Sequence, residues 1–150
     1  MNRLPSSGDL QGGVHRLPVR VYYEDTDNSG IVYHAGYLRW FERGRTEMLR
    51  HVGITHMAPD IAAAGYFAVA DMNIRWLRPA RLDDALIIES RVSRLRAAAV
   101  VLTQTIVHDE ATLCTATVTA ALLCPDGRPR RLPKDWENQF LALQQEAEAA

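Results

Sequence analysis

The chain lacks the features of a disulfide-stabilised, membrane-spanning or nucleic-acid-binding protein. It has only two cysteines, Cys114 and Cys124, which lie in or beside apolar segments and lack both CxxC spacing and a neighbouring His pair. This pattern favours buried thiols over a disulfide or a metal site. No run approaches the roughly 18 apolar residues that a membrane span requires. The formal net charge of -1 argues against a bulk electrostatic attraction to nucleic acid.

The N-terminal segment also lacks the apolar stretch of a secretory signal. Residues 1–14 are polar and contain serine and glycine, so we expect a disordered leader there. The remaining length fits one domain, which we place at residues 15–145. A cytoplasmic location is the corresponding expectation.

Apolar periodicity predicts one long helix and several strands. Residues 17–24 alternate between apolar and polar side chains, which indicates a strand with one solvated face. Residues 34–52 carry an apolar stripe at three- and four-residue steps, which predicts an amphipathic helix, and Gly53 is suited to end it. Gly44, in the middle of that helix, indicates a close approach of its backbone to a sheet. Further predicted elements are a short helix at 56–64, strands at 67–77, 85–94, 100–108 and 112–124, and a helix at 133–145.

The order of these elements is strand, long helix and then a meander of strands. Repeated βαβ alternation is missing, so the fold class is α+β rather than α/β. The single long helix has to cover one face of the sheet. A strand set that wraps around this helix is the natural compact arrangement.

The loop before the long helix concentrates charge. Glu24, Asp25 and Asp27 place three carboxylates in four positions, and Gly30 follows before the helix begins. Crowded carboxylates raise one another's pKa, whereas a nearby helix N-terminus favours the anion. Unpaired N–H groups in the first helical turn can stabilise an oxyanion, so the loop has the minimum equipment for acyl transfer. The alternative is a solvated turn followed by a surface histidine, His34, and the residue types alone favour that alternative.

A longer motif surrounds these carboxylates. The pattern Y-x-D-T-D-x-x-G-x-V-Y-H-x-x-Y begins at Tyr23 and ends at Tyr37, and E-x-x-R follows at Glu42 and Arg45. Residues 19–49 closely resemble the YbgC-like, Tol-Pal-associated branch of the acyl-CoA thioesterases. That branch belongs to the hotdog superfamily, which also includes 4-hydroxybenzoyl-CoA thioesterase. With a later segment at residues 79–84, the resemblance covers roughly residues 18–140.

This resemblance implies a hotdog fold, in which an antiparallel sheet of about five strands wraps around one central helix. It implies hydrolysis of acyl-CoA with Asp27 as the catalytic carboxylate, which either attacks the thioester carbonyl or activates water. His34 is expected to polarise that carbonyl through its backbone N–H, and its imidazole to bind substrate or assist proton transfer.

The resemblance also implies a substrate site shared between subunits. Tyr33 and Gly30 are expected to line this site. One or more of the arginines Arg78, Arg81 and Arg96 are expected to contact the CoA phosphates. Alternatively, these arginines are solvated charges in turns. Glu42 and Arg45 are equally compatible with a surface pair and with an interface role.

No metal or redox cofactor is implied, because CoA is part of the substrate. An unpaired sheet edge favours a homodimer or homotetramer. The alternative function is a non-catalytic hotdog that binds acyl-CoA or acyl carrier protein and serves envelope or lipid assembly, and an enoyl-CoA hydratase is a third possibility.

Overall fold

A computed structural model describes residues 3–55 and 65–149. Within these ranges the chain forms six strands, one 3-10 turn and two long helices. The strands are β1 (Asp9–Gln11), β2 (Val14–Arg20), β3 (Tyr66–Trp76), β4 (Ala85–Arg96), β5 (Ala99–His108) and β6 (Ala111–Leu123); the 3-10 turn is Tyr23–Asp25, and the helices are α1 (Gly36–His51) and α2 (Lys134–Ala149).

The strands form one antiparallel sheet in the order β1-β2-β4-β5-β6-β3. Strands β1 and β3 are therefore its edges. The sheet packs over α1, which confirms the predicted α+β class and the hotdog arrangement. It has six strands rather than about five, because β1 adds a short strand beside β2. Neither helix in the described part of the chain has the length and apolar character that a bilayer crossing demands.

Helix α1 is held against the sheet by its predicted apolar stripe. Tyr37, Trp40, Phe41 and Met48 are buried on the side that faces the strands. Gly44 lies at the closest point, because a Cβ built on it would be 2.9 Å from Cγ2 of Ile88. A larger side chain would force the helix away from β4. The cost of glycine in a helix is thus offset by this close packing.

The boundaries of the predicted helices differ from the observed ones in an informative way. Helix α1 begins at Gly36, two residues later than predicted, so His34 belongs to the loop and not to the helix. Gly53 has a φ of +80° and follows the last turn, as expected. The final helix extends to Ala149, beyond the predicted end. The helix predicted at residues 56–64 lies outside the described residues.

The predicted disordered leader is partly a strand in the structure. Strand β1 pairs with β2 across a turn at Gly12 and Gly13, both of which have positive φ values. Leu10 packs against the core, which supplies apolar contact as well as backbone hydrogen bonds. The leader is thereby anchored to β2, an outcome that its polar composition did not indicate.

His15 anchors the leader from inside the sheet. Its Nε2–H donates to the carbonyl oxygen of Ser7 at 2.7 Å, and Nε2 of His51 donates to the same oxygen at 3.0 Å. Nδ1 of His15 is buried and has no hydrogen-bond partner among the described residues. Burial lowers the pKa of His15, outweighing the hydrogen bond to Ser7; His51 lowers it further, while Glu47 and Asp9 raise it.

The protein is therefore expected to lose stability on mild acidification. The folded-state pKa of His15 lies below its ordinary value of 6.5, so below that pH the unfolded chain binds more protons. The free energy of unfolding, measured by urea denaturation, should fall between about pH 7 and pH 5. His15→Leu should flatten this fall. His108→Gln is the control and should retain or steepen it, because the pKa of the partly exposed His108 is raised, chiefly by its hydrogen bond to the Ala85 carbonyl, so its protonation favours the folded chain. An unchanged slope in His15→Leu would contradict the assignment.

Candidate active site

The carboxylate-rich loop is shaped by its own side chains. A carboxylate oxygen of Asp25 accepts a hydrogen bond from the backbone N–H of Tyr22 at 2.8 Å. The hydroxyl of Thr26 donates to the carbonyl oxygen of Tyr23 at 2.8 Å. Asp25 and Thr26 therefore form the 3-10 turn that leads into the next residue, Asp27.

Asp27 occupies the first position of a tight turn. The backbone N–H of Gly30 donates to the Asp27 carbonyl oxygen at 3.0 Å, and the N–H of Asp27 donates to the Ile31 carbonyl oxygen at 3.0 Å. Gly30 has a φ of +81°, which is why glycine suits this position. In the single chain this turn exposes the Asp27 side chain to solvent.

The carboxylate of Asp27 is stabilised as an anion. One of its oxygens accepts hydrogen bonds from the backbone N–H of Ser29, at 2.8 Å, and from the Ser29 hydroxyl. The Ser29 hydroxyl, the Ser29 N–H and the charge of His34 lower the pKa of Asp27. The pKa is therefore shifted in the direction opposite to the one that crowded carboxylates suggested, and the hydrogen bonds from Ser29 are the main cause.

His34 lies between this turn and α1. Its ring packs against Tyr33, with ring centroids 4.4 Å apart, and meets Trp76 edge-on at 5.9 Å. The indole Nε1–H of Trp76 donates to the His34 carbonyl oxygen at 3.0 Å. No hydrogen bond joins the backbone N–H of His34 to another described residue. His34 is therefore fixed between Asp27 and the last residue of β3, with a backbone N–H that no described residue accepts.

The predicted arginines are distributed unequally around this loop. Val32 N–H donates to the Ala80 carbonyl oxygen at 2.9 Å, and Ile31 forms a β-bridge with Arg81, so the segment that carries Arg78 and Arg81 is docked on the loop. Arg96 is at the other end of β4. At about 3.3 Å per residue, that end is roughly 35 Å from the start of the strand. One chain therefore brings Gly30, Tyr33 and Arg81 together with Asp27 but leaves Arg96 remote.

A cavity of about 270 Å³ lies beside β3 and was not predicted. Residues of α1, β3, β5, β6 and α2 form its walls, and most of them are apolar. The aromatic residues Tyr37, Trp40 and Phe41 of α1 do not line it, because they pack in the core. No local signal marks the cavity, because its walls come from distant parts of the chain. Its lining is Glu42, Arg45, Thr46, Met48, Leu49, Phe67, Ala68, Val69, Val100, Leu102, Ala120 and Phe140.

Comparison with known proteins assigns the family. The family model described as the Thioesterase superfamily matches residues 29–115. The chain belongs to this superfamily. The match begins at Ser29, within the Asp27 turn, and extends over α1, β3, β4 and β5 into β6. It therefore takes in His34 and most of the cavity wall.

Relatives within the superfamily are similar over most of the chain. The acyl-CoA thioester hydrolase YbgC of Escherichia coli O157:H7 is 44% identical over 128 residues, which are 83% of this chain and 94% of the relative. The acyl-CoA thioesterase YbgC of Haemophilus influenzae is 40% identical over 127 residues, or 83% and 92% of the two chains. A probable thioesterase from Bartonella henselae has a solved structure with a TM-score of 0.74 and 45% identity; the likeness covers 80% of this chain and 99% of that one. The resemblance to YbgC-like thioesterases is thus confirmed.

Proposed function

We propose that the protein hydrolyses acyl-CoA thioesters to the free acid and CoA, with Asp27 as the catalytic carboxylate. The similarity to proteins named acyl-CoA thioester hydrolases supports the reaction class. The observation that carries the proposal is the pairing of two groups in one loop. An anionic Asp27 lies near His34, whose backbone N–H has no described partner just before α1.

These groups divide the chemistry between them. The His34 N–H, assisted by the dipole of α1, stabilises the negative charge that develops on the thioester oxygen. The Asp27 carboxylate either attacks the carbonyl carbon and expels CoA thiolate, leaving a mixed anhydride that water hydrolyses, or removes a proton from an attacking water. The lowered pKa keeps Asp27 ionised, which both routes require. The His34 imidazole contacts the substrate or supplies the proton that the thiolate takes up.

In this proposal, arginine side chains bind the CoA phosphates and the loop surface contacts the substrate near the thioester. Arg78 and Arg81 are exposed on the segment docked beside Asp27, where their guanidinium groups suit the phosphates of CoA. Tyr33 and Gly30 form the wall near the thioester. Arg96 takes part only if a second subunit supplies it. A cytoplasmic location agrees with a CoA thioester substrate.

The site is completed by a second copy of the chain. Edge strand β3 leaves Tyr66, Val69 and Trp76 exposed and has no partner strand on its outer side among the described residues. Antiparallel pairing of two β3 edges centred near Asp71 sets Trp76 of one chain opposite Tyr66 of the other. Because Trp76 is bonded to His34 and the cavity begins at Phe67, this pairing unites the Asp27 loop of one subunit with the cavity of its partner. A homodimer is therefore the functional unit, alone or within a homotetramer.

A substrate panel tests this function. Purified protein is expected to release CoA thiol from short-chain, long-chain or aromatic acyl-CoA, as followed by a thiol-reactive dye. Acyl carrier protein thioesters belong in the same panel, because the same carbonyl can be presented by either carrier. Binding without thiol release from any member would favour the non-catalytic binder. Addition of water to an enoyl-CoA would instead identify a hydratase.

A further inference from the structure

Arg45 places a cation in the wall of the apolar cavity. It is half-buried and lies on α1, beside the apolar surface formed by Leu49, Phe67 and Met48. A guanidinium has five N–H donors. In the described chain, a single hydrogen bond from Arg45 appears, from Nη1 to Oε1 of Gln104 at 3.0 Å. The remaining N–H donors have no partner among the described residues and can therefore serve a ligand in the cavity.

The orientation of Arg45 is fixed by a buried amide. Gln104 is fully buried, and its Nε2 donates to the Phe41 carbonyl oxygen at 2.9 Å and to the Ser90 hydroxyl at 2.8 Å. Both donors of the amide are thereby used, so its oxygen must point to Arg45. The missing side chain of Gly44 leaves room for this contact, since a Cβ there would be 3.2 Å from Nε2 of Gln104. The guanidinium is therefore pre-organised before any ligand binds.

The charge of Arg45 is not neutralised by direct contact. Burial lowers its pKa, and the negative charge of Glu42 partly opposes that effect. Glu42 is exposed, and no ion pair between it and Arg45 occurs in the described structure. A partly desolvated cation without a contacting anion is the arrangement that a carboxylate ligand satisfies best, because the planar fork accommodates both carboxylate oxygens.

We propose that Arg45 selects acyl groups that carry a carboxylate at the end remote from the thioester. This inference rests on the proposed function, because it makes the cavity the acyl pocket. The cavity volume of about 270 Å³ accommodates roughly nine non-hydrogen atoms, taking about 30 Å³ for each group of the size of water. A chain of a few methylenes lies against the apolar walls, and its terminal carboxylate meets the guanidinium.

Shape-matched substrates test the proposal. Glutaryl-CoA is compared with 5-methylhexanoyl-CoA, in which an isopropyl group replaces the carboxylate, and adipyl-CoA with 6-methylheptanoyl-CoA. In the wild type, kcat/KM should be about tenfold or more higher for at least one carboxylated substrate than for its apolar counterpart. Arg45→Met should lower kcat/KM for that carboxylated substrate by about 10- to 100-fold. It should change kcat/KM for the apolar counterpart by less than about threefold. Arg45→Lys should fall between them. Arg43→Met, on the exposed side of the same helix, should retain the wild-type preference.

A binding measurement separates this inference from the hydrolase proposal. Thioether analogues of the same pairs cannot be hydrolysed, and calorimetry should show the same Arg45-dependent preference even if no thioester is cleaved. If no thioester is hydrolysed but selective binding persists, only the proposal that the protein is a hydrolase is rejected. Equal binding and turnover of the matched pairs by the wild type would reject the role of Arg45, as would a preference that persists in a folded Arg45→Met protein. Equal binding and turnover would be the result if an acidic side chain of a second copy formed an ion pair with Arg45.

Discussion

Asp27→Asn is expected to lower the turnover of acyl-CoA by about 10²- to 10⁴-fold, the usual contribution of a positioned acid or base. An amide can neither attack the thioester carbon nor accept a proton from water. It is nearly the same size as the carboxylate and retains an oxygen that can accept from the N–H and hydroxyl of Ser29. The turn should persist, so the loss should appear in kcat with an unchanged melting temperature. Thiol release under saturating substrate is the measurement.

Two companion variants make this result specific to Asp27. Glu24→Gln removes a neighbouring exposed carboxylate of the same loop and should leave turnover within about twofold, because surface changes of this kind have small effects. Ser29→Ala removes the main cause of the lowered pKa of Asp27 and should move the acidic limb of the pH profile of kcat/KM to higher pH. Wild-type turnover in Asp27→Asn would remove the proposed mechanism.

A heterodimer of two inactive variants is expected to regain about half of the wild-type activity, since one of the two shared sites would be intact. One chain carries Asp27→Asn, and the other carries Ala68→Trp, which fills the cavity with an indole. If each site joins the Asp27 loop of one subunit to the cavity of its partner, the Asp27→Asn chain still supplies a sound cavity and the Ala68→Trp chain a sound loop. Two affinity tags on co-expressed chains allow the heterodimer to be isolated and its thiol release measured.

The outcome distinguishes a shared site from a site within one chain. If the loop and the cavity of the same chain acted together, both halves of the heterodimer would be defective and no activity would return. Thr46→Trp, which blocks the cavity from α1 instead of β3, should complement Asp27→Asn equally well. The Ala68→Trp protein by itself should remain dimeric in light scattering. That result would show that the substitution alters the cavity and not the β3 edge.

Much of the fold was predictable because periodicity is a local property. The stripe from Tyr37 to Met48 predicted α1, and Gly53 predicted its end. Alternating residues predicted β4, β5 and β6 to within a few positions. The turn that carries Asp27 followed from Gly30 and its neighbours, whose conformational preferences act over only a few residues. The catalytic role of Asp27 stays a prediction, supported by the motif and by the geometry of the turn.

The cavity and the state of Arg45 depended on the assembled fold. From the sequence, Arg45 was equally compatible with a surface pair with Glu42 and with an interface role; in the structure it is hydrogen-bonded to Gln104, 59 residues away. The cavity likewise forms where α1, α2 and three strands meet, and the sequence of no single segment predicts it. Short-range preferences therefore determined the elements and the loop chemistry, whereas packing between distant segments decided which charges are buried and which surface is left hollow. This division arises because backbone geometry depends on neighbouring residues, while desolvation depends on every segment that covers a group.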